Sequence, residues 1–239
     1  MRTTLTPEKI LAKADALLVE QHGQRKWRRS GDGVEVLVRT ILSQSTNHAN
    51  SSAAYENLRK RYPTWEEVAE QPLLHIMRVI HVGGLAEQKA NYIGKALRAI
   101  RADRKRIDLE FLGEMPFEAA RQYLLCLEGV GPKTADCVLL FAFNMPAFPV
   151  DTHVHRMARR LGLMKRGSTP EMTHDVITPL IPPARRYAMH LLMIEHGRTI
   201  CRVREQCEAC KLLKICHQGQ RKMTSAPIWH SAAWRRRHA

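Results

Sequence analysis

Aromatic residues make up only 6% of this 239-residue chain, and its runs of β-branched residues are short. Strands draw on both residue types, so the two scarcities argue against an extensive sheet. No segment alternates with a convincing period of two. Long apolar runs are also missing: the longest, such as residues 138–143, are far too short to cross a bilayer. The N-terminal residues Met1-Arg2-Thr3-Thr4-Leu5-Thr6-Pro7-Glu8 contain no apolar core of the kind a secretory signal needs. Together these absences predict a helical, soluble, cytoplasmic protein with no membrane partner, nucleoid-associated if the cell is bacterial. In a reducing compartment its six cysteines are not expected as disulfides, which leaves buried thiols or metal ligands.

Acidic residues are outnumbered, 23 against 38 lysines and arginines, giving a formal charge of +15. Such a surplus suits a polyanionic partner, because binding releases condensed counterions. Nucleic acid is the first candidate and an anionic membrane surface the second. Hydrophobic residues at 44% and charged residues at 26% are ordinary for a globular protein, and the length suffices for one large domain or two small ones.

Helix signals recur along the chain. Thr6-Pro7 reads as an N-cap followed by proline at the first helical position, with Ile10, Leu11, Ala14, Leu17 and Leu18 at helical spacing. Residues 24–33 read as a basic linker. Helices are predicted over 34–42, 51–61, 65–71, 73–80, 87–101 and 116–125. Residues 101–106 read as a solvated charge run, and the segment after Cys216 as an irregular basic tail carrying Trp229, Trp234 and Arg235 to Arg237.

The sharpest local pattern is Leu127-Glu128-Gly129-Val130-Gly131-Pro132-Lys133-Thr134-Ala135. Two glycines around one apolar residue make a tight turn, and Pro132 suits the first turn of a helix to about residue 142. Backbone N–H groups at a helix N-terminus form an anion site, and a DNA phosphate is the natural occupant for so basic a chain. An ordinary helix–turn–helix corner is the plainer alternative. Lys133 faces the positive end of the helix dipole, which disfavours its cation and favours a nucleophilic neutral amine; a phosphate-binding lysine fits the same position equally well. Farther on, Val150-Asp151-Thr152-His153 places Asp151 to cap a helix running to about residue 161. A carboxylate there could also take a proton or stabilise an oxocarbenium ion. His153 and His155 fit packing or phosphate contacts better than metal ligation.

Cys201, Cys207, Cys210 and Cys216 form C-x5-C-x2-C-x5-C. Zinc ribbons favour two C-x2-C knuckles, whereas a compact four-cysteine set with one knuckle suits a cubane; zinc stays open as the alternative. Arg202 and Arg204 lie in the first loop, within reach of phosphates. Cys126 and Cys137 read as buried thiols.

Taken together, the hairpin segment, Val150-Asp151-Thr152-His153, His196-Gly197-Arg198 and the four cysteines resemble the endonuclease III branch of the helix-hairpin-helix DNA glycosylases. The resemblance spans roughly residues 34–216. It implies an all-α fold with a six-helix barrel domain bearing the hairpin motif (34–146), a second helical domain carrying a [4Fe-4S] cluster (1–33 and 147–218), and a basic tail (219–239). It implies a monomer acting on double-stranded DNA that contains a damaged base or an abasic site. Lys133 matches the family's nucleophilic lysine and Asp151 its catalytic aspartate, at the family's spacing, and the four cysteines match its cluster ligands. Gln44 or Ser45 matches the residue that fills the gap left by a flipped nucleotide, and Leu85 resembles the wedge leucine. Gly129, Val130, Gly131, Thr134, His153, Arg202 and Arg204 complete the candidate DNA contacts. The resemblance implies a bifunctional glycosylase and β-elimination lyase acting on oxidised pyrimidines, since the adenine-mismatch branch lacks the lysine. A DNA-binding paralogue, or an abasic-site lyase with little or no glycosylase activity, is the alternative. Two features depart from the family: the first cysteine gap has five residues where six are usual, and Ser45-Thr46-Asn47-His48 replaces the better-known Gln-Ala-Thr-Asp.

Overall fold

A computed structural model describes residues 5–225, and every regular element among them is helical. The tail residues Trp229, Trp234 and Arg235 to Arg237 lie outside the described residues. The chain divides into two compact units, one of residues 27–149 and the other of residues up to 26 together with those from 150 onward.

The first unit, which we call the hairpin unit, contains α2 (Gly33–Leu42), α3 (His48–Arg61), α4 (Trp65–Glu70), α5 (Leu73–Ile80), α6 (Ala86–Arg104), α7 (Phe117–Leu125) and α8 (Pro132–Phe143). Side chains mark where these helices begin. Asp32 Oδ1 accepts the Glu35 N–H at 2.7 Å, and Thr64 and Glu67 form a reciprocal capping box at α4. Asn47 accepts the Asn50 N–H at 2.9 Å, so α3 starts three residues before the predicted position. The helix predicted to end at residue 101 runs on to Arg104, so most of the charge run is its last turn, where cations suit the negative end of the dipole. The supposed linker is also fastened: the Trp27 indole N–H donates to the Leu140 carbonyl at 2.9 Å, and Ser30 N–H donates to that of Phe141 at 3.1 Å.

Leu37, Ile41, Leu58, Ile76, Ile80, Ile93, Leu97 and Ile100 fill the core of this unit. Helix α8 packs on α2 and α7, and every side chain from Thr134 to Leu140 is buried. A helix apolar all round belongs inside a fold, not on its surface. Its one buried carboxylate, Asp136, is 1% exposed and pairs with Arg121 of α7 at 2.8 Å.

The second unit, the cysteine unit, contains α1 (Pro7–His22), α9 (Thr152–Leu161), α10 (Pro170–Ile177), α11 (Arg186–Thr199) and α12 (His217–Ser225). Helix α1 begins as predicted, with Thr6 Oγ1 accepting the Lys9 N–H and Pro7 at the first position. Helix α11 packs on α1 and α9, and α10 and α12 pack on α9. A bidentate pair from Arg185 to Asp15, at 2.7 and 2.9 Å, adds to the unit. The segment after Cys216, expected to be irregular, begins instead as a helix. The Gln220 N–H donates to the Cys216 carbonyl at 3.0 Å, and Gly162, without a side chain of its own, lets His217 approach closely. No helix among the described residues is long and apolar enough to cross a membrane.

Candidate nucleic-acid interface and metal centre

In the hairpin unit, α7 and α8 flank the turn at residues 126–131. Val130 N–H closes it onto the Leu127 carbonyl at 3.0 Å. Gly129 takes φ +82°, and a Cβ there would sit 2.1 Å from Cγ of Tyr92. Only glycine fits, on both conformational and steric grounds. Helix α8 then starts at Pro132, with Gly131 at the cap position and no side chain capping it. Pro132 has no N–H, and those of Thr134 and Ala135 donate to the Gly131 carbonyl at 3.0 Å, so in this first turn the N–H of Lys133 is left to an external acceptor. Lys133 is half-buried in this first turn. No carboxylate lies within ion-pair distance of it among the described residues.

An open groove runs beside the turn. Gln44, Ser45, Leu85, Gln88, Tyr92 and the hairpin residues Gly129, Val130 and Gly131 line it. Three segments far apart in sequence thus converge on one surface. Gln44 is half-buried and donates to Thr134 Oγ1 at 3.4 Å. Ser45 is exposed at φ +51°, and Leu85 is 54% exposed at φ +50°. Neither is glycine, so each left-handed residue costs about 1–2 kcal/mol. Strain of this kind persists where the surroundings impose it, and it clusters at working sites.

Buried beneath the groove, Lys89 donates to the Leu42 carbonyl at 2.8 Å and to the Gly83 carbonyl at 2.7 Å.

In the cysteine unit, Asp151 caps α9. Its Oδ1 accepts the N–H of His153 at 2.9 Å and of Val154 at 2.8 Å. His153 contacts Arg156 through Nδ1 at 2.9 Å, and burial lowers its pKa. The same guanidinium donates to the carbonyls of Gly197, at 2.8 Å, and Cys201, at 3.0 Å. Gly197 belongs to the His196-Gly197-Arg198 motif, and a Cβ there would meet the His153 ring at 2.9 Å.

Cys201, Cys207, Cys210 and Cys216 line one cavity. Burial and the neighbouring sulfurs push the Cys207 and Cys216 thiols up, and Cys210 up to about 11. Thiols crowded in this way suit a cation that draws off their protons and binds the thiolates. The donor set, four sulfurs around one cavity, therefore fits an iron–sulfur cluster. No three His, Cys, Asp or Glu side chains among the described residues are gathered closely enough to hold a single metal ion. Arg160 braces the first inter-cysteine loop, donating to the carbonyls of Cys201, Arg202 and Val203, at 2.6–3.3 Å, and to Cys201 Sγ at 3.1 Å. His196 lies between His22 Nε2, 2.9 Å away, and Cys210 Sγ, 3.4 Å away. Burial, then the neighbouring His22, lowers its pKa to about 4, so it is neutral at pH 7. Arg202 and Arg204 stand exposed on the loop that Arg160 braces.

Residues 38–183 match the model of the HhH-GPD superfamily base excision DNA repair proteins. The chain belongs to this family. The match covers the groove segments, the hairpin, Lys133 and Asp151, and stops short of the cysteines. Endonuclease III of Thermotoga maritima is 35% identical over 192 residues, 80% of this chain and 85% of that protein. Endonuclease III of Sulfolobus acidocaldarius is 31% identical, covering 75% and 79%. A longer Arabidopsis thaliana relative, 34% identical over 175 residues, is spanned over 57% of its length. Among solved structures, a non-covalent endonuclease III–DNA complex superposes with a TM-score of 0.78 at 28% identity, covering 92% of this chain and all of that one. The chain is thus a base-excision repair protein of the endonuclease III type.

Within this family member, residue-by-residue reading found the hairpin, Asp151 and the cysteines, and missed Arg160, Tyr92 and the role of Lys89. The clearest available signal was the Gly129 turn, which demands a close neighbour without naming it.

Proposed function

We propose that this protein is a bifunctional DNA glycosylase and abasic-site lyase acting on oxidised pyrimidines in double-stranded DNA, with Lys133 as nucleophile. The observation that carries the reading is the groove that brings Gln44, Ser45 and Leu85 alongside the glycine turn leading into Lys133. Leu85, apolar and exposed in a rigid left-handed conformation, suits a wedge between bases. Gln44 or Ser45 suits the gap left by an extruded nucleotide. The Lys133 N–H at the start of α8 suits a phosphate of the same strand.

In the chemistry proposed, Lys133 Nζ attacks C1′ of the damaged nucleotide through its lone pair as the bond to the base breaks, and the base leaves with the electron pair of that bond and takes a proton from water. Asp151, its carboxylate aligned by two backbone N–H donors, stabilises the positive charge developing at C1′ and accepts the lysine proton. Ring opening gives a Schiff base. Loss of a C2′ proton then expels the 3′ phosphate by β-elimination, and water hydrolyses the imine to regenerate Lys133. Cys201, Cys207, Cys210 and Cys216 would hold a [4Fe-4S] cluster, which would cross-link the segment that carries Arg202 and Arg204. His153 supports α9 behind Asp151.

Borohydride trapping on an abasic duplex tests the reading. A covalent adduct that disappears in Lys133→Ala is expected. No adduct, or one that survives the substitution, overturns the lysine mechanism. Excision from duplexes bearing oxidised pyrimidines, oxidised purines or mismatched adenine tests the substrate class, and activity confined to the last two would overturn it.

A further inference from the structure

Lys89 is among the largest fully buried side chains of the described residues, at 1% exposure. A buried lysine ordinarily needs a carboxylate, yet its ammonium is held by two backbone carbonyls, Leu42 O at 2.8 Å and Gly83 O at 2.7 Å. No carboxylate pairs with it among the described residues. Each carbonyl belongs to the last residue of a helix: Leu42 ends α2, and Gly83 ends the 3-10 turn His81–Gly83. Such carbonyls lack partners along the helix and carry partial negative charge. One cation therefore satisfies two helix ends at once.

The positions of those ends connect Lys89 to the groove. Three residues after Leu42 comes Ser45, and two residues after Gly83 comes Leu85. These are the two left-handed non-glycine residues on the groove wall. Lys89 also donates its own backbone N–H to the Leu85 carbonyl at 3.0 Å. Gly83 is itself packed: a Cβ there would meet Ala54 at 3.1 Å. The two loops approach from separate stretches of sequence, and the Lys89 ammonium is a polar contact common to both.

We propose that Lys89 is a positioning residue that locks the Ser45 and Leu85 segments together, so that the wedge and the gap-filling side chain enter the duplex as one rigid body. The proposal rests on the repair reading above. It requires the lock to matter when a nucleotide must be forced out of a stack, and to be irrelevant when no stack exists.

The test compares Lys89→Met, similar in length and uncharged, with Lys89→Arg, which keeps a charged donor. Single-turnover nicking is measured on an abasic site in a duplex and on the same site in a single strand. With 2-aminopurine opposite the site, fluorescence reports wedge insertion. The expected result for Lys89→Met is a loss of roughly 10- to 100-fold on the duplex, a reduced fluorescence change, and an unchanged single-strand rate. Lys89→Arg should restore part of the duplex rate. Equal losses on both substrates would indicate a merely structural lysine, and no loss on either would overturn the proposal outright. Hydrogen exchange on the unmodified protein supplies an arm that does not depend on a variant folding. Backbone amides at 43–46 and 83–86 should open with one common free energy, and independent opening sinks the lock. If the unmodified protein nicks neither substrate, the repair reading fails, while the exchange arm still decides whether Lys89 couples the loops.

Discussion

Replacing Asp151 separates two duties of one carboxylate. Its Oδ1 accepts two N–H groups at the start of α9, at 2.9 and 2.8 Å. As a cap it is worth about 0.5–2 kcal/mol over alanine. Asparagine caps equally well through its side-chain oxygen and forfeits only the interaction of a negative charge with the helix dipole, about 0.3–1 kcal/mol. At roughly 2–4 °C per kcal/mol for a protein of this size, Asp151→Asn should lower the melting temperature by about 1–4 °C and Asp151→Ala by up to about 8 °C. Catalysis should follow a different order. On the proposed mechanism both variants lack the carboxylate that takes the lysine proton, so both should lose roughly 10²- to 10⁴-fold in single-turnover base excision. Calorimetry and single-turnover kinetics on the same preparations make the comparison. An Asp151→Asn protein that keeps near-native turnover would reduce Asp151 to a helix cap. Losses that track melting temperature across the two variants would point the same way.

Gly129→Ala combines a left-handed φ with a Cβ 2.1 Å from the Tyr92 ring; it should cost about 2 kcal/mol or more and weaken DNA binding, and adding Tyr92→Ala should recover part of the stability in chemical denaturation. Cys210→Ser should abolish any absorbance near 400 nm, and a protein whose visible spectrum survives the change would refute the proposed ligand set. Arg160→Met leaves the Arg202 and Val203 carbonyls without their charged donor, while that of Cys201 keeps Arg156, so DNA binding measured against salt should weaken as Arg202 and Arg204 lose their fixed positions; an unchanged salt dependence would show that the brace is immaterial. The Tyr123 pKa is pushed up to about 12, first by burial and then by its 3.1 Å hydrogen bond to Asp103. The folded state therefore holds this proton more tightly than the unfolded state. Stability from this source is complete below about pH 10 and is lost as pH rises towards 12, and Tyr123→Phe should flatten that alkaline decline in a denaturation series.

Legibility in the sequence followed the physics of each segment. Helices α1 and α9 were readable because Thr6 and Asp151 are short-range caps whose signal lies within three residues of the helix they start, and α2 because the apolar residues of 34–42 recur at helical spacing, although its cap, Asp32, read as part of a linker. Helix α8 was readable from Pro132 and an unbroken apolar stretch. Helix α12 was missed because its charged, glycine-bearing sequence has no stripe strong enough to declare a face, and its packing on α9 supplies what propensity does not. The groove was only partly legible. A glycine turn advertises itself, whereas the left-handed Ser45 and Leu85 are set by tertiary contacts that no local pattern encodes. Lys89 was the least legible of all, because a lysine in a basic chain reads as surface until the carbonyls around it are seen.

Helix α8 carries Lys133 at one end and is enclosed by the fold along most of its length. The end proposed to react and the interior are therefore one object, and nearly any change within it alters both the resting stability of the protein and the placement of the Lys133 amine. Adaptation to a new lesion has little freedom there. It has much more in the loops around Gln44, Ser45 and Leu85, where side chains face an open groove and can be exchanged without disturbing what lies beneath. Members of this family that differ in the base they remove should accordingly vary along the rim and hold constant along the helix.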